Sequence, residues 1–358
     1  MARAPTDCRA LALATGAVAL AVAVASCASP EAAPRERPAP TIATASAAPR
    51  TVDDASSAPG TASAPPPSAS VAPPHVELRR ATALLFPEGA PHGACADGDE
   101  HARVRCLVAA RFDADASARD VALAMFDERG DVVGLEREQD MEGGFRGTIH
   151  LVPELPVGKY AKHLSWVAGA QRDISSFLAN VRARATAPVR YRNEAIGWRF
   201  LRSVGRTTPS AYADGWEVAY NVSGSLHASA SAVTETLFHE MFHLNDEAHD
   251  NWSRRVLGPI ADAIVDKCGS KTACLAPYAP GKTMVRGGTF YAFQANNGDI
   301  AHEYSAELAT RYFLEQRARI EGKSVEAPFK CGPPENARAW AALASEFFGG
   351  VDLVPACK

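Results

Sequence analysis

No stretch of the 358-residue chain is strongly basic: 37 Lys and Arg stand against 41 Asp and Glu, for a formal net charge of −4. Without a basic stripe nothing displaces counterions from a phosphate backbone, so no nucleic-acid partner is expected. Long apolar runs are missing too. The run Ala10–Ala25 is weakly apolar and shorter than the roughly 20 residues a spanning helix needs, which excludes a polytopic membrane protein. There is no internal repeat and no collagen-like period. Nor do any two cysteines stand in the Cys-x-x-Cys spacing of a zinc ribbon or a thioredoxin-type site. What is present suits one or two globular domains. Five Trp and fourteen Phe supply a sizeable core, although the 47% hydrophobic share is inflated by alanines crowded into the first ~75 residues.

Residues 1–27 read as an export signal. Arg3 and Arg9 form a short basic start, Ala10–Ala25 the apolar stretch, and Val24-Ala25-Ser26-Cys27 the end. That last tetrad resembles a bacterial lipobox, whose cysteine is lipidated after cleavage. The resemblance implies an exported lipoprotein anchored through Cys27 in the bacterial cell envelope, and Ala28 in the next position points to the outer membrane. Residues 28–75 are rich in Pro, Ala and Ser and too poor in bulky apolar groups to offset the entropy of ordering. Proline makes such a tract a semi-extended tether of up to ~3 Å per residue, on the order of 100 Å in all. The folded part is expected over 76–358, with an N-terminal α+β portion over about 76–190.

Setting aside Cys8 and Cys27 leaves Cys95, Cys106, Cys268, Cys274, Cys331 and Cys357. An even number in an exported chain predicts disulfides, and neighbour pairing is the simplest of the connectivities. Strands are expected over 103–112, 130–135 and 145–152 and around Trp216–Tyr220. Helices are expected over 118–126, 161–184, 300–316 and 337–348, and over a segment from Ser229 or Ser231 that carries Leu237, Phe238, Met241, Phe242 and Leu244. The fold class is therefore α+β with a small mixed sheet, and no βαβ alternation announces a parallel one.

The most informative residues are His239-Glu240-Met241-Phe242-His243. Histidines four apart on a helix project from one face, so both imidazoles can reach one zinc ion, and Glu240 can act as general base on the metal's water. A catalytic zinc needs a third protein ligand. His249 stands where metzincins place theirs, with Met284 as a conceivable Met-turn, although Asp246 replaces the glycine that normally turns the chain. The competitor is Glu303, in His302-Glu303-Tyr304-Ser305-Ala306-Glu307. Glu307 and His302 are further alternatives.

Glu303, Tyr304, Ala306 and Glu307, with Asp246 three residues after His243, resemble the zinc helices of gluzincins, in particular the lethal-factor-like toxin peptidases and Pro-Pro endopeptidases. The likeness implies a zincin-like fold with an active-site helix and a second zinc-ligand helix. It implies Glu303 as the third ligand, Asp246 and Glu307 as supports behind the ligands, and Tyr291 as donor to a developing oxyanion. The expectation is a zinc metallopeptidase acting on peptide or protein substrates. The alternative is a non-catalytic lipoprotein in which zinc merely clamps helices, which would require a closed four-ligand shell.

Overall fold

The computed structural model describes residues 74–89, 95–143, 147–285, 288–294 and 299–358. The signal segment, Cys27 and nearly all of the tether fall outside them. Among the described residues three helices come first: α1 (Leu78–Leu85), α2 (Glu100–Arg111) and α3 (Ala116–Arg129). The strand expected over 103–112 is in fact α2. Val104, Cys106 and Val108 alternate as in a strand, but Val104, Leu107 and Val108, at helical spacing, are the buried ones. Asp99 starts the helix by accepting from the Ala102 N–H at 2.8 Å, and a cap plus one buried stripe outweighs the β preference of two valines.

The sheet is built from β1 (Val132–Leu135), β2 (Gln139–Glu142), β3 (Thr148–Pro153), β4 (Gly197–Ser203), β5 (Ala211–Asp214) and β6 (Glu217–Asn221), with the long helix α4 (Ala161–Arg182) between β3 and β4. β4 is the hub. One edge pairs in parallel with β6. The other is shared, β1 running parallel along Gly197–Phe200 and β3 antiparallel along Leu201–Ser203. Parallel neighbours thus arise without a βαβ run, because the return to β4 passes through β2, β3 and α4. β5 folds back on β6 as the terminal strand. Their turn takes left-handed backbone at Gly215 (φ 57°) and Trp216 (φ 62°), the paired positive values that suit the twist of a tight hairpin. Asp131 ties β1 to β4 from a fully buried position, accepting from the Ile196 N–H at 2.9 Å and the Trp198 indole at 3.2 Å beside Arg129. Burial pushes its carboxyl up to about 6 against the pull of the Arg129 guanidinium.

The described residues beyond β6 are mainly helical: α5 (Ala230–Glu247), α6 (Trp252–Val256), α7 (Gly258–Cys268), α8 (Thr272–Leu275), α9 (Ile300–Ile320) and α10 (Pro334–Phe347). The cysteines pair as neighbours, Cys95–Cys106, Cys268–Cys274 and Cys331–Cys357. Among the described residues no helix is long and apolar enough to cross a membrane. Two cores meet at α5. Val233, Leu237 and Leu244 pack with the sheet and the first three helices. Phe238, Met241 and Phe242 pack with α7, α9 and α10. At about 100° per residue these sets lie on two separate faces of the helix and leave a third, which carries His239 and His243.

Candidate metal centre

α5 starts where Ser229 accepts from the Ala232 N–H at 3.2 Å, and it continues unbroken to Glu247. Its third face opens on a cleft of about 1040 Å³. α9 crosses that face, capped by Asp299, which accepts from the Ala301 N–H at 3.0 Å. Glu303 lies in its first turn, where the helix's positive end favours a carboxylate. The remaining walls are the segment leading into β5 on one side and residues 280–285 with Tyr291 on the other.

His239, His243 and Glu303 converge. Their ligating atoms lie 3.1 Å (Nε2 to Nε2), 3.2 Å (His239 to Glu303) and 3.8 Å (His243 to Glu303) apart. Donors bound at 2.0–2.1 Å in tetrahedral geometry sit about 3.3 Å from one another, so the three can hold one metal ion. The charge around them asks for a cation. Burial pulls the His239 imidazole down, but the hydrogen bond and charge of Glu303, joined by Glu240 and Glu307, outweigh it and lift the ring to about 9. Burial, then the charges of His239 and His302, hold His243 well below its ordinary value, which leaves its lone pair free to ligate.

Glu240, the residue after the first ligand, is buried at the cleft and pushed up to about 7 by desolvation and by Glu303, against His239 and His302. Glu307, one turn beyond Glu303, is raised by burial and carries a favourable charge interaction with His239. Its carboxylate fills the space beside Gly281, where an added Cβ would come within 1.5 Å of Oε2. Tyr291 sits in a single turn of 3₁₀ helix, with its N–H on the Thr283 carbonyl at 2.9 Å and its ring centroid 6.1 Å from that of His239.

No protein-family model, curated protein or solved structure matches the chain. The geometry of the site therefore carries the functional argument by itself.

His249 does not join the group. Asp246 continues the helix instead of turning it, so His249 leaves on another side, with Nδ1 2.9 Å from Glu346 Oε1 and its ring stacked on Phe347. The turn comes later, at Asp250 and Asn251, both with positive φ. Met284 is 46% exposed on the cleft wall, not packed beneath the ligands as a Met-turn requires. Asp246 is fully buried and accepts from the Ser253 N–H at 2.7 Å and hydroxyl at 2.5 Å, and its other neighbour is His302. It touches neither ligand histidine through a hydrogen bond. Sequence reasoning missed the opposite wall, where β5 and Leu226 face the cleft, because no local signal marks which strand ends a sheet.

Proposed function

We propose that the chain is a zinc-dependent endopeptidase of the gluzincin type, exported and held at the bacterial cell envelope by a lipid on Cys27. The observation that carries this reading is the convergence of His239, His243 and Glu303 at tetrahedral spacing in an open cleft, with Glu240 beside them. Two imidazoles and one carboxylate suit zinc, and three protein ligands leave the open position that catalysis needs. The fold that presents them, a mixed sheet whose terminal strand borders the cleft above two crossing helices, is consistent with a zincin.

Bound there, zinc would supply Lewis acidity, polarising the scissile carbonyl and acidifying water. Glu240 takes the proton of the attacking water and passes it to the departing amine. Its burial suits the task, since a base near neutrality can both accept and return a proton. Tyr291 offers a hydroxyl from the facing wall to the developing oxyanion. Among the described residues β5 has a partner on one edge only, and an extended peptide can pair with the other. Leu226 and Met284, two of the four exposed large apolar side chains among the described residues, stand on opposite walls and favour apolar side chains in the substrate.

Elemental analysis of the purified protein tests the reading. About one zinc per chain is expected, lost in His239→Ala and Glu303→Ala and retained in His249→Ala. Glu240→Gln should keep the metal and lose peptide hydrolysis by several orders of magnitude. Undiminished hydrolysis in that variant would defeat the mechanism. A metal closed by a fourth protein ligand would favour the clamp alternative.

A further inference from the structure

We propose that His302, held by Asp246, positions the ligand His243 through a face-to-face ring stack in place of the usual hydrogen bond. This rests on the metal reading above. A ligating imidazole normally donates its second N–H to a carboxylate or a carbonyl, which fixes the plane of the ring. Among the described residues His243 has no such partner. Its Nε2 faces His239 and Glu303, while its Nδ1 is buried without a hydrogen bond. The ring lies instead against that of His302, with centroids 3.9 Å apart and planes inclined by 17°.

His302 is held in turn. Its Nδ1 lies 3.3 Å from Asp246 Oδ2, and Asp246 is fully buried and fastened by both the N–H and the hydroxyl of Ser253. A chain of contacts thus runs from the start of α6 through Asp246 and His302 to the ligand. Two sequence relations follow from it. Asp246 falls one turn after His243 on α5, and His302 immediately precedes Glu303 on α9, so one helix delivers a ligand and also the ring that steadies another. His302 is a positioning residue in this account. Its side chain is 36% exposed at the cleft, so replacing it leaves the cores intact.

The test uses the full chain, first stripped of metal and then titrated with Zn²⁺ against a chelator and with Co²⁺ by visible absorption. Wild type should bind one equivalent. His302→Ala should bind about 10–100-fold more weakly, with a changed Co²⁺ spectrum and an unchanged melting temperature of the metal-free protein. His302→Phe, which keeps an aromatic face but no nitrogen, should recover most of the affinity and the wild-type spectrum. Wild-type affinity and spectrum in His302→Ala would overturn the proposal while leaving the metal reading standing. So would a phenylalanine variant as weak as the alanine one, or a metal-free His302→Ala that melts earlier, since either points away from stacking on the ligand. Failure of wild type itself to bind metal would overturn both. Asp246→Asn is a poorer probe, because that residue also anchors Ser253.

Discussion

At the scale of single residues, the site is defined by charge as much as by distance. Glu240, Glu303 and Glu307 surround two imidazoles in a buried setting, and without a metal the nearest available cation is a proton on His239. A protonated ring cannot ligate, so metal binding must displace that proton. With His239 lifted to about 9, most metal-free molecules carry it at neutral pH. Apparent zinc affinity should therefore rise by about tenfold per pH unit from near 7, flatten above about 9 and fall as the medium is acidified. Calorimetry in buffers of differing ionisation enthalpy should record the release of about one proton per zinc bound at pH 7.5. Release of none would show that His239 is neutral before the metal arrives. The two histidines and Glu240 were legible in the sequence because their relation is local, the histidines standing four positions apart, about one helical turn. Glu303 was legible only through resemblance to other zinc helices, since its approach to His239 spans sixty-four positions of chain. The fate of His249 was hidden, because it turned on whether Asp246 ends the helix or continues it.

At the scale of elements, α5 explains why the face that carries His239 and His243 is so well defined. The helix is buried on two sides by unlike cores and exposed on one, so its rotation about its own axis is fixed by Leu237 and Leu244 on one face and Phe238, Met241 and Phe242 on the other. Its start is fixed more weakly, by one hydroxyl. Ser229→Ala should cost about 1 kcal/mol of stability, seen as a lower denaturant midpoint, with zinc affinity nearly unchanged because the two cores still hold the ligand turn. The link between β1 and β4 is less forgiving. Asp131→Ala would strand two buried donors and leave Arg129, whose side chain is 12% exposed, without its charged partner. Breaking a buried pair in this way costs about 3–5 kcal/mol, enough to make soluble expression itself the readout. α2 shows the limit of reading elements from pattern. Its valines fit a strand's period as well as a helix's, and the deciding facts are the Asp99 cap and the neighbours that bury Leu107, one local and the other not.

At the scale of the whole molecule, the cleft is a product of topology that no window of sequence contains. Its floor is two helices more than fifty residues apart in the chain. One wall exists because β5 folds outside β6, which leaves it the terminal strand. The other exists because residues 280–285 pack back over α9 and bring Gly281 onto the Glu307 carboxylate and Tyr291 towards His239. On the proposed reading Glu240 and the ligands would act on whatever amide reaches them, so selection among peptides would fall to the walls. Leu226, 47% exposed, and Met284, 46% exposed, present apolar surface to the cleft that a bound substrate can cover. If a substrate does, Leu226→Ser and Met284→Ser should weaken its binding without disturbing the chemistry. KM for a peptide with apolar residues flanking the cleaved bond should then rise, by about 1–3 kcal/mol of lost side-chain contact per position, while kcat and zinc content hold. A fall in kcat at constant KM would place these side chains in the reaction itself, and equal rates on peptides with charged flanking residues would show that the walls do not select.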